Sequence, residues 1–267
     1  MNWPGRAIPF AKASACGNDF LLIDHALAPA DITAFTRRVC DRHEGVGADG
    51  VEWMLPHATA DAEIRLINAD GSAAEISGNG TRCVAAYLCV ETGKERIRIQ
   101  TGAGLKVCVL TARSDSAFEF EAAMGEAEVG KALEITCGFG KVHGIPVSMG
   151  NPHYVVFVPR FDQDWRERSA AIQHDPVFKQ GVNVEWVVMD GEHDVTARFF
   201  ERGAGETQSS GTGSCAAAVA AIATGKIQSP VKVHTPGGTQ TVRLENDQVF
   251  LRGPAQLVCR GEFFFGG

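Results

Sequence analysis

Apolar residues fall in short runs along most of this chain, bounded by glycine and other turn formers, and such runs predict strands. In the first half the runs are 20–23, 63–67, 97–101, 105–110 and 118–121. In the second they are 147–149, 154–158, 184–189, 196–200, 231–234 and 242–244. Thirty glycines and short connections fit many antiparallel turns. Helical spacing is confined to four segments. Residues 31–42 open on a capping-type aspartate, Asp31, and carry apolar positions at helical intervals. Residues 164–173 form a second such segment. The other two, 80–92 (GTRCVAAYLCVET) and 213–224 (GSCAAAVAAIAT), lack a continuous polar face, so each is predicted to be buried.

The pattern also repeats. Gly17-Asn18 returns as Gly150-Asn151, Val51-Glu52-Trp53 as Val184-Glu185-Trp186, and Ser77-Gly78-Asn79-Gly80 as Ser210-Gly211-Thr212-Gly213, all at an offset of 133 residues. A repeat of that length is too long for a solenoid unit and fits a duplicated domain. The expected fold is therefore α/β (α+β): two pseudo-symmetric halves, each a curved, mostly antiparallel sheet around a central helix, with the active site in the cleft between them. The boundary is expected near Met124-Gly125, where residues 119–126 read as a strand leading into a connector. That gives halves 1–124 and 125–258, with the last segment, 259–267, able to return and complete the first. Near-mirror chemistry on two faces of one site is what inversion of a stereocentre requires.

Composition narrows the function. Hydrophobic content of 45% and charged content of 21% describe a soluble globular protein, and the net charge of −7, with no Lys/Arg run, argues against a nucleic-acid partner. No apolar stretch approaches a membrane span, and the first twenty residues lack the apolar core of a secretory signal. Eight cysteines without a C-x-x-C, several inside apolar runs, read as reduced and buried in a cytoplasmic protein, and zinc is not expected. The aromatic triplet Phe263–Phe265 fits either core or a homodimer contact.

Each Ser-Gly-x-Gly turn opens a helix, where backbone N–H groups and the helix dipole together bind an anion such as phosphate or carboxylate. Neither turn is a dinucleotide fingerprint or a Walker loop, because the third glycine and a following Gly-Lys-Ser/Thr are missing. Alone, such a turn is a tight strand-to-helix connection; its duplication in register favours a site. The segments KASACGNDFLLID (12–24), NADGSAAEISGNGTRCVAA (68–86), MGNPHYVVFV (149–158) and ERGAGETQSSGTGSCAAAVA (201–220) resemble diaminopimelate epimerase, in that family's order and spacing. The resemblance implies an isomerase of two similar halves, independent of pyridoxal phosphate or any other cofactor, that interconverts LL- and meso-diaminopimelate for lysine and cell-wall synthesis. It implies that Asn18, Asn68, Asn151 and Asn183 bind substrate amino and carboxylate groups. It further implies that Gly78 with Asn79, and Gly211 with Thr212, offer backbone donors to the reacting carboxylate. Glu201 and Arg202 would grip the substrate, and His153 with Glu201 would tune the catalytic pair. Read without the resemblance, each Asn is a turn or cap residue, although Asn18 and Asn151 share the repeat register.

One departure matters. Where the family carries its two catalytic cysteines, this chain has Ser77 and Ser210. In the family mechanism one thiolate removes the α-proton and the opposite thiol delivers one to the other face. Thiols with a reference pKa of about 8.5 suit that exchange of roles. A serine hydroxyl is far harder to ionise and needs an adjacent base. Neither loop supplies an obvious one, with His153 a candidate on one side. Three explanations compete: an epimerase engineered into a substrate-trapping form, a natural variant using serine or other residues (Cys16, Cys83 and Cys215 lie nearby), or an amino-acid-binding protein without catalysis. Related racemases or dehydratases of the same superfold, acting on another substrate, are the remaining alternative.

Overall fold

The structure, a computed structural model, describes residues 5–266. Its chain divides into two units: unit 1 runs to Ala122 and resumes at Gly253, and unit 2 is Ala123–Arg252. Positions 1–4 and 267 of the expected halves lie outside the described residues.

Unit 1 contains β1 (Arg6–Ala15), β2 (Asn18–Asp24), β3 (Gly50–Leu55), β4 (Ala62–Asn68), the two-residue β5 (Ala73–Ala74), β6 (Arg96–Thr101), β7 (Gly104–Ser114) and most of β8 (Ala117–Glu126). Its helices are α1 (Ile32–Cys40) and α2 (Gly78–Thr92). Neighbouring strands are antiparallel except β2–β3 and β4–β6, which are parallel. The two-residue alternation of β3 explains why the sheet carries a helix on each face. Val51 and Trp53 point to one side, where they pack with Leu21, Ile23 and the α1 residues Phe35 and Val39. Leu22 and Leu66, the cross-strand neighbours of Glu52, belong to the opposite core with Cys83, Val84, Ala85 and Ala86 of α2. α1 is amphipathic because it covers the sheet from outside; the side chain of Asp31 caps it by accepting from Ala34 N at 2.9 Å. α2 is buried from Asn79 through Ala86, which explains its missing polar face.

Unit 2 repeats the plan. It contains β9 (Glu128–Val129), β10 (Leu133–Cys137), β11 (Gly140–Ser148), β12 (Pro152–Phe157), β13 (Asn183–Met189), β14 (Asp194–Glu201), β15 (Gly205–Thr207), β16 (Val231–Thr235), β17 (Gly238–Glu245) and the start of β18 (Gln248–Phe265), with α3 (Trp165–Gln173) and α4 (Gly211–Ala223). The parallel pairs are again β12–β13 and β14–β16, each the counterpart of a parallel pair in unit 1. Val184 and Trp186 pack with Trp165 and Ile172 of α3. Val155 and Phe199, the cross-strand neighbours of Glu185, pack with α4. α1 and α3, β3 and β13, and α2 and α4 each begin 133 residues apart, so the sequence repeat is a repeat of elements.

The later part of β18 pairs with β1, from Arg6 opposite Phe265 to Ser14 opposite Gln256. Leu257 N–H donates to Ser116 O at 2.9 Å beside the start of β8, so the strands of unit 1 run round α2 as a ring. Phe263 and Phe265 meet Phe35 edge-on at 5.9 and 5.1 Å, which gives these two rings of the triplet a place in the core. All eight cysteines are free thiols; six are buried, Cys137 is partly covered and Cys259 is exposed.

Candidate active site

Both Ser-Gly-x-Gly turns place the serine at the N-cap of the buried helix. Ser77 has extended backbone angles and its Oγ accepts from Gly80 N at 3.0 Å; Ser210 does the same with Gly213 N at 3.1 Å. Helix geometry leaves the first-turn N–H groups without intrahelical acceptors, and each serine Oγ satisfies one of them. Gly78 and Asn79, and Gly211 and Thr212, fall in those first turns, where N–H groups and the helix dipole favour a carboxylate.

In unit 1, Asn79 Nδ2 donates to Asn18 Oδ1 at 2.7 Å, and Asn18 Nδ2 donates to Asp49 Oδ2 at 3.0 Å. The guanidinium of the buried Arg82 donates to Asn79 Oδ1 and, at 3.2 Å, to Pro254 O. Thus Asn18, Ser77, Gly78 and Asn79 are brought together, with Asp49 and Arg82 as supports. Asn68 ends β4 and donates to Ser72 Oγ at 3.0 Å, within its own turn. The first asparagine contact recurs in unit 2, where Asn151 Nδ2 donates to Thr212 Oγ1 at 3.4 Å.

Unit 2 adds a denser polar group. Ser210 Oγ lies 3.2 Å from Glu201 Oε2, to which it donates, while Thr207 Oγ1 donates to Glu201 Oε1 at 2.6 Å. Ser210 therefore has a carboxylate beside it, which the sequence reading did not supply. His153, fully covered, has Glu185 Oε1 at 2.7 Å from Nδ1 and Asn151 Oδ1 at 3.0 Å from Nε2. A ring protonated on both nitrogens donates to both. Asn183 Oδ1 accepts from Arg202 N at 2.8 Å, and Asn183 Nδ2 donates to Pro152 O at 3.2 Å. The Arg202 side chain turns to Gln180 O at 2.8 Å. Asn151, His153, Ser210, Gly211, Thr212 and Glu201 thus surround the start of α4, with Asn183 and Arg202 joined beside them.

The buried acids Glu52 and Glu185 were visible in the sequence only as members of the Val-Glu-Trp repeat. Burial pushes the Glu185 carboxyl upward, and the charge of and hydrogen bond to His153 oppose that shift. Glu52 has no such neighbour: the residue 133 positions before His153 is Phe20. Burial alone pushes its carboxyl up to about 8, and neither of its oxygens has a hydrogen-bond partner among the described residues. A buried Leu or Ile at such a site would contribute roughly 1.5–3 kcal/mol, which this acid forgoes. A Cβ on Gly80 would lie 2.0 Å from Glu52 Oε1 and 3.3 Å from Ser77 Cβ. Gly80→Ala is therefore expected to destabilise the protein by ~1–3 kcal/mol, the usual cost of overpacking. An unfolding midpoint in denaturant equal to the parent's would contradict this packing.

Among the described residues no helix is long and apolar enough to cross a membrane, and no group of three or more His, Cys, Asp or Glu side chains is placed to hold a metal ion. A family model described as diaminopimelate epimerase matches residues 10–129 and 145–258. The diaminopimelate epimerase of Pelotomaculum thermopropionicum is 37% identical over 275 residues, covering 95% of this chain and 98% of the relative. Among solved structures, a phenazine biosynthesis protein of the PhzF family from Bacillus anthracis aligns with a TM-score of 0.73 at 16% identity, over 97% of this chain and 100% of its own. A hydroxyproline epimerase from Agrobacterium vitis, solved with trans-4-hydroxy-L-proline bound, aligns with a TM-score of 0.71 at 16% identity, over 98% of this chain and 92% of its own. At such identities these two likenesses show the fold.

Proposed function

Because the chain belongs to the diaminopimelate epimerase family, we propose that it binds diaminopimelate and inverts one α-carbon by moving protons through positions 77 and 210, without a cofactor. The observation that carries this reading is the duplicated serine-capped turn, each copy tied to an asparagine of the preceding Gly-Asn segment. The first-turn N–H groups at Gly78, Asn79, Gly211 and Thr212 receive the reacting carboxylate and stabilise the charge that develops on it. Asn18, Asn68, Asn151, Asn183, Glu201 and Arg202 orient the amino and carboxylate groups. His153 and Glu201 carry the proton inventory of unit 2, and Glu201 is already bonded to Ser210. Free thiols throughout the chain fit a reducing cytoplasm, and a homodimer belongs to the same reading.

Serine at both proton-transfer positions makes this chain a slow catalyst. The same serines favour a second reading, an amino-acid-binding protein that leaves the α-carbon untouched. The two separate in heavy water. Under the first, LL-diaminopimelate acquires α-deuterium with the Ser77→Cys/Ser210→Cys form. Binding without exchange by that form would move the protein to the second.

A further inference from the structure

Glu52 is a buried acid with no hydrogen-bond partner among the described residues, and it lies at the turn where the proposed chemistry lacks a base. It extends from β3 toward α2, flanked in register by Leu22 of β2 and Leu66 of β4. It is 0% exposed, and among the described residues neither carboxyl oxygen has a hydrogen bond. A buried, unsatisfied carboxyl costs several kcal/mol where an apolar residue would cost nothing, so its presence at this turn asks for a use. Its Oε1 and Ser77 Cβ border the same point above the bare Cα of Gly80, at 2.0 and 3.3 Å. Gly80 N–H in turn holds Ser77 Oγ. Any side chain at residue 80 would wall the acid off from the serine.

The two units differ at this place. In unit 2 the serine has a carboxylate from β14, Glu201, and the repeat counterpart of Glu52 is engaged with His153. In unit 1 the residue 133 positions before Glu201 is Asn68, which bonds within its own turn. The carboxyl at this turn comes from β3 instead.

We propose that Glu52 is the proton acceptor for Ser77, so that the unit 1 face of the reaction runs through a serine–glutamate pair. This rests on the α-proton reading above. The α-carbon loses its proton to Ser77 Oγ as the Ser77 hydroxyl proton passes to the Glu52 carboxylate. The electron pair of the broken Cα–H bond spreads into the substrate carboxylate held at the helix N-terminus. The carbanion takes a proton on its other face from Ser210 Oγ as a protonated Glu201 carboxyl returns one to Ser210, leaving Glu201 as the carboxylate, and the reverse reaction runs the same steps backward. The titratable neighbour of Glu52 on α2 is Cys83, whose thiol is itself pushed up by burial; the strand neighbours Leu22 and Leu66 are apolar. Arg82, on the same helix, is committed to Asn79 and Pro254 O.

The test is α-deuterium exchange on LL- and meso-diaminopimelate by the chain as it stands, by E52Q and by E52D, each across pH 5–10. E52Q should lower exchange by ~10²-fold, leave substrate affinity near the parent's and remove a limb that rises through about pH 8. E52D should recover part of the rate. In a Ser77→Cys background the effect of E52Q should shrink, because a thiol ionises without a partner. E52Q should unfold no more easily than the parent at pH 8, which separates lost chemistry from lost fold. Equal exchange by the parent and E52Q, or no exchange by the serine chain while the double-cysteine form exchanges, would overturn the pairing and leave the epimerase reading intact. No exchange by the double-cysteine form would remove that reading, and the pairing with it.

Discussion

Cysteine at both positions 77 and 210 is expected to raise α-proton exchange on diaminopimelate by ~10⁴-fold or more, because each positioned acid–base group contributes ~10²–10⁴. The gain comes from the acid, not from the frame. Both turns are already built: each serine caps its helix through its Oγ, and each turn is fastened to its asparagine. A thiol differs from a hydroxyl by one atom and titrates near 8.5, within reach of neutral pH. The single substitutions should differ. Ser210 has a carboxylate at 3.2 Å, so some base strength is present before any change. Ser77 has no hydrogen-bonded carboxylate among the described residues, and its proposed partner Glu52 holds its proton below about pH 8, so in that range Ser77→Cys should bring the larger single gain. With one thiol, deprotonation is fast from one face only, so one diastereomer should acquire deuterium faster than it inverts. NMR loss of the α-proton signal, set against chiral separation of the isomers, reads both quantities. Equal rates for the serine chain and the double variant would show that neither position carries the proton.

Much of this arrangement was legible in the sequence because duplication writes the same constraints twice. The buried helices were expected at 80–92 and 213–224 and lie at Gly78–Thr92 and Gly211–Ala223. Each starts two residues early because the glycines of the turn are themselves in the first helical turn, under a serine cap. The surface helices α1 and α3 fall inside the expected segments, since amphipathic spacing survives wherever one face meets water. Strands were harder. β1 was missed: its buried residues include Ala11, Ala13 and Ala15, small side chains without strand preference, and Pro9 interrupts it. β3 was seen only as a repeated tripeptide, although its counterpart at 184–189 was read as a strand; Gly50 at its start and Pro56 after it leave a shorter apolar run. β18 runs eighteen residues through Gly253, Pro254 and Gly261, which read locally as breaks. Its first part is held by the hairpin with β17, and pairing with β1 and β8, remote in sequence, keeps the rest extended.

The site divided along the same line. Residues inside motifs, such as Asn18, Ser77, Asn151 and Ser210, were named from the sequence. His153 and Glu201 were named as tuning residues through the resemblance, but supports such as Asp49, Thr207 and Glu185 were not, because hydrogen bonding between distant strands leaves no local signature. Glu201 was named for gripping substrate and, with His153, for tuning the catalytic pair; its contact with Ser210 depends on β14 and the start of α4 being adjacent. Glu52 and Glu185 share a repeat position but have opposite circumstances, and the difference is a single residue on the next strand, Phe20 against His153.

That difference has a large thermodynamic consequence. Glu52 ionises near its ordinary value of 4.5 when the chain is unfolded and at about 8 when folded, through burial alone. Between these values the unfolded chain has released its proton while the folded chain retains it. Since the slope of unfolding free energy with pH follows protons bound in the unfolded state minus those in the native state, it is negative here. The neutral carboxyl's contribution is fully present below pH 4.5 and is lost by about pH 8. Over that window the loss is on the order of 5 kcal/mol, at 1.36 kcal/mol per unit. Glu52→Gln removes the titration and keeps the shape, and a buried amide starts from the same unsatisfied state as a buried neutral acid. The variant should therefore gain on the parent as pH rises, with their unfolding temperatures separating by roughly 10–20 °C between pH 5 and pH 9. Denaturant midpoints at the two pH values measure the same difference. A constant gap would mean that the acid reaches water or a cation when the turn moves, in which case its ionisation carries no folding cost. A widening gap, found together with slower α-proton exchange, would identify an acid kept at the expense of stability.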